Sequence, residues 1–97
     1  MTYSLEETIP MMNSNDYKAR FKAEYWQTRI RYEKLHTMIV RREAGKLSFE
    51  PTCPIELWRD QAKAMGEYLH QLEIRAMVED ITLNKEVDRR EANQSER

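Results

Sequence analysis

Histidine and cysteine are scarce in this chain, and their scarcity limits its chemistry. His36 and His70 are the two histidines and Cys53 the one cysteine in 97 residues. Neither an H-x-x-x-H nor an H-E-x-x-H spacing occurs, so a zinc hydrolase helix is absent. Cys53 lies between Pro51 and Pro54 with no base close in sequence. It has no partner for an intramolecular disulfide, and a structural zinc site would need ligands combined by symmetry. Glu24, Glu33, Glu67 and Glu73 are the carboxylates available for pairing, and a di-iron bundle is poorly supported. The reading is of a non-enzyme, with no catalytic residue, no metal and no cofactor.

Binding chemistry is better represented. Arg20, Glu24, Gln27, Arg31 and Lys34 fall on one line of a helix, with Tyr17 at its upper edge. Gln61, Tyr68 and Arg75 follow one another at spacings of seven. A solvated helix face explains such lines. They equally suit an anionic ligand, because arginine offers phosphate a planar fork of N–H donors and tyrosine offers a base a stacking surface. Charge is distributed to match. From Tyr17 to Lys46 there are nine Lys/Arg against three Glu, a balance of +6. From Ile55 to Asp80 six acidic residues face three basic ones, a balance of −3. The whole chain carries −1, which disfavours a nucleic acid polymer as partner.

The elements that must position these residues are helices. Glycine stands only at 45 and 66 and proline only at 10, 51 and 54, while 34% of residues are charged. That composition suits charged helices rather than a sandwich or barrel. From Tyr17 to about Ala44, Phe21, Tyr25, Thr28, Tyr32, Leu35 and Ile39 recur at alternating spacings of four and three, the stripe of a packing seam. Asn15 or Asp16 is the expected N-cap and Gly45 the C-cap. Residues 46–54 read as a loop, with Pro54 in the first turn of a second helix. That helix runs from Ile55 to about Asp80 with Trp58, Ala62, Met65, Leu69, Leu72 and Ala76 as its stripe.

The fold class predicted is all-α: an antiparallel two-helix hairpin over 16–80, assembled into a helical oligomer. Residues 1–15 form a leader, interrupted by Pro10, that is either irregular or holds a short helix. Residues 81–97 form a polar tail that is expected to continue the second helix for a turn or more and then fray. No apolar run of membrane-spanning length and no signal peptide occurs, so no membrane partner and a cytoplasmic location are expected.

One seam does not use every apolar residue. Trp26 and Ile30 lie about 140° and 180° around the first helix from Phe21, and Ile74, Val78 and Ile81 lie away from the second stripe. These five are the expected oligomer interface, because an isolated hairpin has little core with which to offset their exposure. Trp58, by contrast, is expected to stabilise the hairpin itself.

Three segments carry a resemblance. They are Asp16-Tyr17-Lys18-x-Arg20-Phe21, Leu35-x-x-Met38-Ile39, and Gln61-x-x-x-Met65-x-x-Tyr68-x-x-x-Leu72-x-x-Arg75. In order and spacing they resemble the hairpin domain of phage anti-CBASS and anti-Thoeris sponge proteins. Ala76 departs from that pattern, which has a larger aliphatic residue there, and the loop holding Pro51, Cys53 and Pro54 is distinctive. The resemblance implies small helical subunits assembled as hexamers, with pockets between subunits that hold cyclic nucleotide signals without cleaving them. Cyclic dinucleotides, cyclic trinucleotides and cyclic ADP-ribose isomers are the ligands it implies, in the cytosol of an infected host cell. Tyr17, Arg20, Tyr68 and Arg75 are the positions that match, and Arg31, Lys34 and Gln61 complete the expected ligand-binding set. An oligomeric protein-binding or structural factor without a nucleotide is the competing expectation.

Overall fold

The computed structural model describes residues 2–85, and among them all regular secondary structure is helical. The elements are α1 (Leu5–Met12), α2 (Tyr17–Glu43) and α3 (Ile55–Val78). Helix α1 starts on a reciprocal cap: Glu7 N–H donates to Ser4 Oγ at 3.2 Å and Ser4 N–H to Glu7 Oε1 at 2.9 Å. Pro10 lies inside α1 rather than interrupting it. Asp16 caps α2 by accepting from Lys18 N–H at 3.1 Å, as expected.

Helices α2 and α3 run antiparallel over 27 and 24 residues, and their ends are set by two related turns. After α2, Gly45 adopts φ 73°, Gly45 N–H reaches Arg42 O, and Lys46 N–H reaches Arg41 O at 2.8 Å. After α3, Asp80 adopts φ 58° and Ile81 N–H reaches Ala76 O at 2.8 Å. Both turns bend the chain off the helix through a left-handed residue and satisfy the last carbonyls. The second helix therefore stops at Val78 rather than Asp80, and residues 81–83 do not prolong it. Pro54 is the N-cap of α3, one residue outside the first turn anticipated for it.

The seam packs as its spacing requires. Phe21, Tyr25, Leu35 and Ile39 are buried on α2, and Leu69, Leu72 and Ala76 on α3. The turn after α3 then lays residues 81–83 against the other side of α2. Ile81 is buried, and the Trp26 indole Nε1–H donates to Leu83 O at 2.6 Å. Tyr3 closes on the same indole, ring centroids 6.3 Å apart. On a neighbouring face of α2 the Gln27 amide donates to the buried Thr8 hydroxyl of α1 at 3.0 Å, and Ala23, one turn before Gln27, is fully buried. Lys85 ion-pairs with Glu7, tying this strap to α1.

This arrangement corrects the reading of Trp26 and Ile81. Trp26 is 1% exposed within a single chain, so its burial is achieved by α1 and the strap with no second subunit required. Ile30 is half-buried. Ile74 and Val78 do stay in the open, at 44% and 76% exposure, with Met77 between them at 82%. The strap also places the start of the expected polar tail in the core; the rest of that tail lies beyond the described residues.

Candidate functional site

The antiparallel pairing sets the first turn of α2 beside the last turn of α3, and there two of the expected ligand-binding residues meet. Arg75 Nη2–H donates to the Tyr17 hydroxyl at 2.6 Å, across 58 residues of sequence. The same hydroxyl donates to Glu79 Oε1 at 3.0 Å, and Arg75 Nε–H reaches Glu79 Oε2 at 3.3 Å. Beneath them the guanidinium lies 5.0 Å over the Phe21 ring, an arrangement that holds its plane. Tyr17 and the side chain of Arg75 are both open to solvent. Partial desolvation of the hydroxyl, then the Glu79 carboxylate it bonds, hold Tyr17 above the ordinary tyrosine value.

A second set with the same three residue types lies farther along the hairpin. Tyr25 donates to Glu73 Oε2 at 2.7 Å and accepts from Arg29 Nη1–H at 3.1 Å. Arg29 also bonds Glu33 and lies 4.8 Å over the Trp26 ring. Tyr17 and Tyr25 are eight residues apart, about 80° around α2, so the two sets occupy the two flanks of the seam. They differ in access. Tyr25 is 2% exposed, and burial followed by the Glu73 hydrogen bond raises its pKa. This inner set is a strut joining the helices, whereas the outer set is exposed to solvent.

The other expected residues are dispersed. Tyr68 is exposed on α3, seven residues and so about 10 Å before Arg75 on the same face. It borders a shallow open concavity of about 700 Å³ whose other walls include Tyr32, Gly66 and His70. Arg20 Nη1 donates to Ser14 O at 2.8 Å, turned toward the α1–α2 connection. Arg31 and Lys34 are exposed, but 14 and 17 residues of helix put them more than about 20 Å along α2 from Tyr17. Gln61 lies equally far along α3 and makes only a 3.9 Å contact with Met65 Sδ. Within one chain, Gln27 is already spent on Thr8, so the polar line of α2 is broken by α1. One subunit gathers Tyr17 and Arg75 and leaves Arg20, Arg31, Lys34 and Gln61 apart.

Reading single residues in sequence missed Glu79, the third member of the outer set. Its signal was present: Glu79 follows Arg75 by four residues, the spacing at which helical side chains meet. Also missed were two carboxylate–histidine spacings, Glu33-x-x-His36 and Glu67-x-x-His70, one on each long helix. Folding does not turn them into a metal centre. His36 stacks on Tyr32 at 6.2 Å and Glu33 pairs with Arg29. Among the described residues no group of three His, Cys, Asp or Glu side chains is placed to hold an ion. Nor, among them, is any helix long and apolar enough to cross a membrane.

Comparison with known proteins gives one finding of weight. The model of the Sequestin family matches residues 15–78, about two thirds of the chain, and the match takes in α2, the loop and all of α3. No curated protein and no solved structure matches. The matched span contains Tyr17 and Arg75, the two residues that the fold brings from opposite ends of it to a single point. The chain belongs to the Sequestin family, whose members are non-catalytic proteins that sequester cyclic nucleotides.

Proposed function

We propose that this protein takes up a cyclic nucleotide immune signal of an infected bacterium and keeps it, intact, from its effector. The ligand is a cyclic dinucleotide, a cyclic trinucleotide or a cyclic ADP-ribose isomer. All three carry phosphates with two terminal oxygens sharing one charge. Tyr17 and Arg75 receive such a phosphate, and the 2.6 Å contact between them is the observation that carries the reading. Two donors on different helices, held by an aromatic ring below and open to solvent above, form a small anion seat. Tyr68, about 10 Å away along α3, is spaced to stack a base of the same ligand.

The remaining polar residues enter through assembly. Arg31, Lys34 and Gln61 lie too far from Tyr17 to reach one phosphate in a single chain, and Arg20 is turned away onto Ser14 O, so a pocket that uses them lies between subunits. Exposed Ile74, Met77 and Val78 on α3 support self-association, and the hexamer implied by the resemblance is the assembly proposed. Calorimetry with a cyclic nucleotide panel tests the seat directly. Arg75→Gln should weaken binding about ten-fold to a hundred-fold, the loss expected for a charge-assisted hydrogen bond. The unliganded melting temperature should hardly change, since Arg75 is not in the core. Unaltered affinity in Arg75→Gln would remove the proposed seat.

A further inference from the structure

In the free protein the seat is not empty of negative charge. The Glu79 carboxylate takes one bond from the Tyr17 hydroxyl on Oε1 and one from Arg75 Nε–H on Oε2. Two oxygens on one centre, sharing one charge and each meeting one donor, is also the pattern of a phosphodiester's PO₂⁻ group. Carboxylate and phosphodiester thus ask the same donors for the same bonds. Both cannot have them together, because Tyr17 has one proton to donate and Arg75 one Nε–H.

We propose that Glu79 is an internal stand-in for the ligand phosphate, occupying the donors of Tyr17 and Arg75 until a phosphodiester displaces it. The proposal rests on the reading of these two residues as the phosphate seat. Glu79 is suited to leave. It is the C-cap of α3, where a negative charge meets the exposed carbonyl end of the helix and is disfavoured. Its side chain and that of Arg75 are 34% and 52% exposed, so water can replace the lost bonds. The exchange sets a threshold. A ligand must outcompete a tethered carboxylate, so a solitary phosphate is held less tightly, and a cyclic ligand with further contacts at Tyr68 is favoured.

The test uses the full chain and dimethyl phosphate, the smallest phosphodiester, titrated while the Arg75 Nε–H resonance is followed by NMR. Glu79→Gln and Glu79→Ala should both reach half-saturation at a concentration about ten-fold lower than the wild type. In an Arg75→Gln background, read at Tyr17, the gain should vanish. Equal or higher half-saturation in both Glu79 variants overturns the proposal, as does a gain that survives Arg75→Gln. The same variants are then titrated with cyclic di-AMP, cyclic GMP–AMP and cyclic tri-AMP. If dimethyl phosphate behaves as described while no cyclic nucleotide binds, the stand-in holds and the sequestration reading is what falls.

Discussion

Tyr25 and Glu73 meet at 2.7 Å across the hairpin, and two turns toward its open end Tyr17 and Glu79 repeat the pairing at 3.0 Å. Each tyrosine hydroxyl is also the acceptor for an arginine. The inner tyrosine is buried and the outer one is open. The same chemistry therefore serves as a strut in one place and is available to a ligand in the other.

Removing the inner hydroxyl separates these roles. Tyr25→Phe should lower stability by about 1 kcal/mol, the net worth of one hydrogen bond to a charged acceptor that can regain water. Affinity for a cyclic nucleotide should stay within about two-fold. Tyr17→Phe should do the reverse, with a smaller effect on denaturant midpoint and a marked loss of affinity. Urea unfolding alongside calorimetry on the two variants makes the comparison.

The same residue gives the protein an alkaline limit. Tyr25 titrates above its ordinary value of 10.0 in the folded state. The folded chain thus holds this proton more tightly than the unfolded one. Its contribution is complete below about pH 10 and is lost as pH climbs from there through the raised folded value. Melting temperature should fall more steeply over that range in the wild type than in Tyr25→Phe.

An acid limit follows from the strap. The hydrogen bond from Lys85, then the Ser4 backbone bond, hold the Glu7 carboxyl below its ordinary 4.5. The linkage has the opposite sign: the contribution is present above the ordinary value and lost as pH falls through the depressed one. Strap release in acid should expose the indole of Trp26 and shift its emission to the red. Glu7→Gln should show the shifted emission already at neutral pH.

Trp26 itself should behave as a core residue. Trp26→Ala should cost about 3–5 kcal/mol, lowering the melting temperature of the subunit whatever its state of assembly. Replacing the exposed Met77 and Val78 by Glu should instead reduce the mass seen by light scattering while leaving the helical circular dichroism unchanged.

Asp80 offers a change in the stabilising direction. At φ 58° it occupies the left-handed region that side chains with a Cβ disfavour. Asp80→Gly should stabilise by up to about 1 kcal/mol, while Asp80→Val should destabilise and loosen the strap. Chemical denaturation of both variants provides the measurement.

The seam was legible because it is local: Phe21 through Ile39 and Trp58 through Ala76 announce their shared faces by spacing alone. Trp26 was misread for the opposite reason. Its cover comes from Tyr3 at one end of the described chain and Leu83 at the other, and no helical periodicity links those segments to it. The Ser4–Glu7 spacing did signal the start of α1, but Pro10 masked it. Tyr17 and Arg75 were legible as separate candidates on their own helices, but their meeting was not, since the antiparallel pairing that joins them spans 58 residues. Spacing on one helix also could not reveal that α1 lies across the basic line at Gln27, whose amide bonds Thr8.

Sequestration without chemistry is the central claim, and one measurement tests it most directly. The protein is titrated calorimetrically with cyclic dinucleotides, cyclic trinucleotides and cyclic ADP-ribose isomers, then denatured, and the released ligand is analysed by mass. The account predicts tight saturable binding of at least one member, lost in the Tyr17→Phe, Arg75→Gln double variant, and recovery of that ligand intact. A hydrolysed or ring-opened product, or no binding across the whole panel, would contradict it.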